Sequence, residues 1–160
     1  MIPNLSKSGY SFMGANEYLN HDKGRKKTRN RVEWTTTRNL LAYKPEVVVK
    51  IMIATALDAD RLKQRAGVKA TGRKSAKHVQ TLSLSWHPGE TVTRAEMEAA
   101  VDEVIELLGL QDHQIAIWSH NDTDHQHVHL LINRVHPWTG VMTTLSNAHR
   151  KLDRWAHEHE

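Results

Sequence analysis

The sequence predicts an α+β fold: an antiparallel sheet of about five strands with helices packed on it and a His-Val-His strand at its centre. Three observations lead there. Apolar residues recur at helical spacing in some stretches and as short alternating or β-branched runs in others. The elements follow in the order helix, helix, strand, helix, strand, strand, helix. The chain has 160 residues, 39% hydrophobic and 25% charged with no cysteine, which suits one domain with its own core and no disulfide framework.

Residues 23–31 are crowded with Lys, Arg, Gly and Asn and read as a loop. Pro45 opens a helix, because its fixed φ suits the first turn. Val47, Val48, Ile51, Met52 and Leu62 keep one face of it apolar as far as about Arg65, and Ala66-Gly67 ends it. The stretch AGVKATGRKSAK, with two glycines, four basic residues and little bulk, is a long loop. Val79, Leu82, Leu84 and Trp86, with Thr and Ser between them, form a strand closed by the turn HPGE. Thr91 or Thr93 caps the next helix, whose inner stripe is Met97, Val101, Val104, Ile105 and Leu108. Its outer face carries Glu96, Glu98, Asp102, Glu103 and Glu106, and Gly109 stops it. Ile115, Ala116, Ile117 and Trp118 make a buried strand, and residues 128–135 make another. After the turn HPWTG the tail SNAHRKLDRWAHEHE is helical, capped by Ser146 or Asn147, with Leu152 and Trp155 facing inward.

The net charge of +4 conceals a division. Residues 1–80 hold 17 Lys/Arg against 6 Asp/Glu, and residues 81–160 hold 5 against 12, so the halves carry +11 and −7. The first half suits a polyanionic partner. Most of the acidic excess lies on the outer face of the Met97 helix, which is a solvated surface. No run of about 18 apolar residues crosses a bilayer and MIPNLSKSGYSF lacks the apolar core of a signal peptide, so the expectation is a cytoplasmic protein without membrane insertion.

Four of the 12 histidines fall within ten residues, in His120-Asn-Asp122-Thr-Asp124-His125-Gln-His127-Val-His129. Side chains two apart on a strand share a face, so His127 and His129 stand side by side while Val128 turns into the core. A hairpin with a loop of about six residues brings His120 beside them and assembles a three-nitrogen metal site with open positions. Imidazole suits Zn, Ni, Cu, Mn and Fe, so the residues alone do not select the ion. Asp122 and Asp124 either orient a ligand imidazole or cap the turn; Asp122 leans to the first role and Asp124 to the second.

The run His120-x-Asp122-x-x-His125-x-His127-Val-His129-Leu-Leu-Ile-Asn133-Arg134-Val135-His136-Pro137 resembles the metal motif of the conjugative relaxases, plasmid mobilisation nucleases within the endonuclease superfamily named for a His-hydrophobic-His motif. Gly72-Arg73-Lys74-Ser75 leading into LSLSWHPGE, and the tail LSNAHRKLDRWAHEHE, extend the resemblance over most of the chain. It implies an enzyme that nicks one DNA strand at a transfer origin by tyrosine transesterification with a divalent ion, Mg or Mn foremost, with Zn or Ni as other occupants. It also implies bacterial cytoplasm, single-stranded origin DNA, accessory relaxosome proteins, a coupling protein and further domains after Glu160, so residues 1–160 read as the nuclease domain at the start of a longer protein.

The family's nucleophile lies in a short helix near the start, and SFMGANEYLNHDKG matches that segment, which selects Tyr18. Tyr10, beside Gly9, is the runner-up; Tyr43, just before Pro45, reads as a packing residue at the helix entry. Asp122 or His125 orients a ligand or helps deprotonate Tyr18, and the residues do not decide between them. Arg25, Lys26, Lys27, Arg29, Arg31, Arg73, Lys74 and Lys77 are candidates for gripping DNA phosphates, with Ser75 for a phosphate hydrogen bond and Trp34 for base stacking. A rolling-circle replication initiator, which places its tyrosine after the His motif, and a non-catalytic metal-stabilised nucleic-acid-binding module are the alternatives. No tyrosine follows Tyr43, which argues against the first.

Overall fold

Five strands form one antiparallel sheet in the order β1-β3-β5-β4-β2, in a computed structural model that describes residues 1–24 and 27–159. In chain order the elements are β1 (Ile2–Leu5), α1 (Phe12–Asn20), β2 (Val32–Arg38), α2 (Pro45–Leu57), α3 (Ala59–Arg65), β3 (Val79–Ser85), α4 (Arg94–Leu107), β4 (Ile115–His120), β5 (His127–Asn133) and α5 (Ala148–Glu158). The His-Val-His strand is β5, and it is central as expected.

The alternation of β5 divides the core in two. Val128, Leu130 and Ile132 point to the face covered by α4 and α5, where they meet Met97, Val101, Val104, Leu152 and Trp155. Leu131 points to the opposite face, under α1 and α2, with Phe12, Leu19, Val48, Val49, Met52 and Trp118. His127 and His129 share that second face by the two-residue period of the strand. The apolar residues of both faces are almost wholly buried, and each large one contributes about 2 kcal/mol by leaving water.

The expected α4 forms with a full capping box: Thr93 Oγ1 accepts from the Glu96 N–H, and Glu96 Oε2 accepts from the Thr93 N–H at 2.8 Å. Three readings are corrected. The helix expected from Pro45 to about Arg65 is two helices, because Asp58, at φ −87° and ψ 6°, leaves helical geometry and separates α2 from α3. Strands β1 and β2, absent from the expected order, form the two edges of the sheet. Tyr43 does not pack at the entry of α2 but is 79% exposed. Asn147 stands at the N-cap of α5 with φ 60°, and its side chain makes no capping hydrogen bond.

Candidate metal centre and tyrosine helix

β4 and β5 form the expected hairpin, and its register sets His120 directly opposite His127 and Trp118 opposite His129. The three imidazoles gather on the α1 side of the sheet, with ring centroids 5.4 Å apart for His120 and His127, 4.7 Å for His120 and His129, and 5.1 Å for His127 and His129. One nitrogen from each lies within 4.8 Å of the others. On the neighbouring strand β3, Ser83 pairs with His129 and Ser85 with His127. Both serines are half-buried, so this flank of the cluster is polar.

Hydrogen bonding sets the tautomers. His120 Nε2 lies 2.8 Å from the Leu19 carbonyl oxygen, which can only accept, so Nε2 carries the proton and Nδ1 keeps its lone pair. His127 Nδ1 lies 3.2 Å from the His125 carbonyl and must likewise be the donor, which leaves the Nε2 lone pair facing Asp122 Oδ1 at 3.5 Å. Thr123 reinforces this turn by donating to the His125 carbonyl at 2.8 Å. A lone pair and a carboxylate oxygen face to face repel each other unless a cation or proton stands with them. His129 has no hydrogen bond to any described residue.

Burial holds these imidazoles neutral. Desolvation lowers His120 to about 4 and His129 to about 3, and it lowers His127 as well. Neutral imidazoles with one unprotonated nitrogen are the form that binds metal, so this donor set fits a divalent ion. Partial burial pushes the Asp122 carboxyl up, but Lys23 Nζ at 3.2 Å and the Arg31 guanidinium together bring it below the usual carboxylate range.

The site residues expected from the sequence fall into separate places. Tyr18 is on α1, 64% exposed, one residue before the Leu19 carbonyl that holds His120. Its ring centroid is 5.5 Å from Arg31 Cζ. Tyr10 lies elsewhere: Gly9 bridges Val79, which pairs with Asn133, four residues along β5 from His129 and so about 13 Å from it at the usual strand rise. His125 is half-buried with its ring 5.5 Å from that of His127.

Among the phosphate-gripping candidates, Lys27, Arg29, Arg73, Lys74, Ser75 and Lys77 are exposed, while Arg25 and Lys26 lie outside the described residues. Arg29 approaches Glu46 at 3.8 Å, Lys74 pairs with Asp60, and the Ser75 hydroxyl accepts from the Lys77 N–H at 3.2 Å. Arg31 is the correction. It is 5% exposed, and its guanidinium is turned into the histidine cluster rather than onto the surface. Trp34 is also turned away from the histidines: it packs on the α4 side, with Arg94 Cζ 4.8 Å from its ring centroid.

The helix that carries Tyr18 is thus fastened to a three-imidazole cluster by the Leu19 carbonyl. The chain belongs to the relaxase family: the family described as Relaxase, MobA/VirD2-like, nuclease domain, matches residues 18–160. It is similar to Protein MobA of Acidithiobacillus ferrooxidans, 40% identical over a 77-residue alignment that covers 44% of this chain and 19% of that relative. Protein TraI of Escherichia coli is 31% identical over 80 residues, 50% of this chain and 11% of the relative. Protein rlx of Staphylococcus aureus is 30% identical over 69 residues, 43% of this chain and 21% of the relative. The chain thus matches about a fifth or less of the length of these relatives.

Proposed function

We propose that this relaxase domain cuts one strand of plasmid DNA at a transfer origin, site-specifically and as single-stranded DNA, with Tyr18 as nucleophile. The observation that supports the reading is the contact between the tyrosine helix and the cluster: the Leu19 carbonyl in the last turn of α1 accepts from His120, and the centre of the Tyr18 ring lies 5.5 Å from Arg31 Cζ, whose Nη2 is 2.8 Å from His120 Nδ1. The Tyr18 phenolate oxygen attacks the phosphorus, the bond from phosphorus to the 3′ oxygen breaks, and that oxygen leaves as a free 3′-hydroxyl once protonated. The product is a 5′-phosphotyrosyl link, and because one phosphodiester has been exchanged for another the reverse reaction reseals the strand.

His120, His127 and His129 would hold the divalent ion, Mg or Mn foremost, which when bound supplies positive charge for the non-bridging oxygens of the scissile phosphate. The His125 carbonyl accepts from His127 Nδ1 and so orients that ring, while Asp122 Oδ1, 3.5 Å from His127 Nε2, brings negative charge beside the nitrogen that would face the ion. Of the two, His125 is the freer to take the phenolic proton, because Asp122 is engaged by Lys23 and Arg31. Lys27, Arg29, Arg73, Lys74 and Lys77 contact the DNA backbone on either side of the cut. The domain acts in the bacterial cytoplasm as the nuclease part of a longer protein, with accessory relaxosome proteins and a coupling protein. No described helix is long and apolar enough to cross a membrane.

The reading is tested by incubating the protein with labelled single-stranded origin oligonucleotides and Mn²⁺ or Mg²⁺. A covalent adduct is expected for the wild type and none for Tyr18→Phe. Equal adduct from both proteins would remove Tyr18 as nucleophile.

A further inference from the structure

Arg31 enters the site just before β2 with both of its main-chain groups tied. Its N–H donates to Asp22 Oδ1 at 2.8 Å, and its carbonyl accepts from the Asn121 N–H at 2.9 Å. The side chain is therefore directed inward and only 4% of it is exposed. Its Nη2 donates to His120 Nδ1 at 2.8 Å, Nη1 faces the His21 carbonyl at 3.4 Å, Nε lies 3.7 Å from Asp122 Oδ2, and Cζ is 5.5 Å from the centre of the Tyr18 ring.

A guanidinium is charged at every pH a protein survives and only donates. The single lone pair of His120 Nδ1 can accept from Arg31 or bind a metal ion, and it cannot do both. The other ring nitrogen is committed to the Leu19 carbonyl. The surroundings add to the conflict, since Arg31 and Lys23 outnumber the one carboxylate they share, Asp122. A dication entering beside an unmoved guanidinium meets a repulsion that the low dielectric of a buried site strengthens.

We propose that Arg31 is a resident cation of the histidine cluster: it occupies His120 Nδ1 when no divalent ion is bound and gives up that nitrogen when one binds. Ion occupancy and the Arg31–His120 hydrogen bond then exclude each other. Asp122 is the acceptor into which the released guanidinium settles, since its carboxylate already lies within an ion-pair distance of Nε. The proposal rests on the reading of the three imidazoles as a metal site.

The test is calorimetric titration of the full chain with Mn²⁺, without DNA, for the wild type and Arg31→Met, with folding checked by circular dichroism. Loss of the competing charge-assisted hydrogen bond is expected to tighten Mn²⁺ binding by about tenfold or more in Arg31→Met. Equal or weaker binding by a folded Arg31→Met overturns the proposal. A second measurement needs no variant: ¹⁵N resonances of the Arg31 guanidinium and the His120 ring, followed as Zn²⁺ is added to the wild type. The His120 Nδ1 and Arg31 signals are expected to move together and saturate with the ion; Arg31 signals unchanged at saturation overturn the proposal. If neither protein binds Mn²⁺ or Zn²⁺, the metal-site reading itself fails, an outcome distinct from equal affinity in the two proteins.

Discussion

The carbonyl oxygen of Leu19 accepts the Nε2 proton of His120 at 2.8 Å, and this bond fastens the end of α1 to the central hairpin of the sheet. Two consequences meet at one imidazole. The bond fixes the tautomer that leaves Nδ1 with its lone pair, and it ties the main chain next to Tyr18 to the cluster. A main-chain acceptor does this without depending on the side chain at position 19, whose apolar body is buried under α1.

Replacing both His127 and His129 by Ala is expected to abolish cleavage while leaving DNA affinity within about tenfold, since affinity comes mainly from phosphate contacts elsewhere. Gel-shift and nicking assays on the same oligonucleotide separate the two. Parallel loss of binding and cleavage would make the cluster a structural element.

Stability should depend on pH through the buried imidazoles. His120 and His129 are lowered from the ordinary 6.5 to about 4 and about 3, so the unfolded chain takes up their protons first as the pH falls. Their contribution is complete above about pH 6.5 and drains away as the pH drops from there toward about 4 for His120 and about 3 for His129, with a slope on the order of 1 kcal/mol per pH unit for each ring. Thermal melts at several pH values should show a plateau above pH 7 and a fall below it. His129→Asn should show a shallower fall; an unchanged slope would mean that His129 is not desolvated.

Thr93→Ala removes the acceptor for the Glu96 N–H and one side of the capping box, with an expected loss of about 1 kcal/mol in a denaturant titration. The site lies on the opposite face of the sheet, so DNA cleavage per folded molecule should not change.

Gly140→Ala should cost more, about 2 kcal/mol or above. Gly140 has φ +66°, and an added Cβ would run into the Ala59 carbonyl oxygen and lie 2.9 Å from both Leu62 Cβ and Lys63 N. The turn after β5 is pressed against α3 at this point. A melting temperature equal to that of the wild type would show that α3 can shift away.

The hairpin was legible in the sequence because its information is local. Six residues separate β4 from β5, His120 and His127 end up opposite each other, and Val128 goes to the other face as the period of two requires. The Thr93 cap and Gly109, with φ +69°, delimit α4 by rules that need only neighbouring residues. Strand β2, VEWTTTR, was hidden because six of its seven residues are half-buried, which leaves no clean alternation; its pairing with β4 is decided by distant contacts. Strand β1 is four residues long and contains Pro3. Arg31 was hidden for a different reason. In sequence it is one more cation of a basic run, and only the closure of β2 onto β4, with Asn121 bonded to the Arg31 carbonyl, turns it inward.

The strand order β1-β3-β5-β4-β2 has a consequence for how the protein is born. Among the described elements, β1, α1 and β2 are made before any strand they pair with, since β1 binds only β3 and β2 binds only β4. Val32 must wait for His120, a closure over more than half the chain and a slow one by its contact order. The tyrosine is synthesised early but gains its place only when the histidine hairpin has been made and has formed the platform for it. On the proposed reading, a nascent chain carries the Tyr18 phenol before its histidine partners exist, and the site is assembled only with the completion of the sheet.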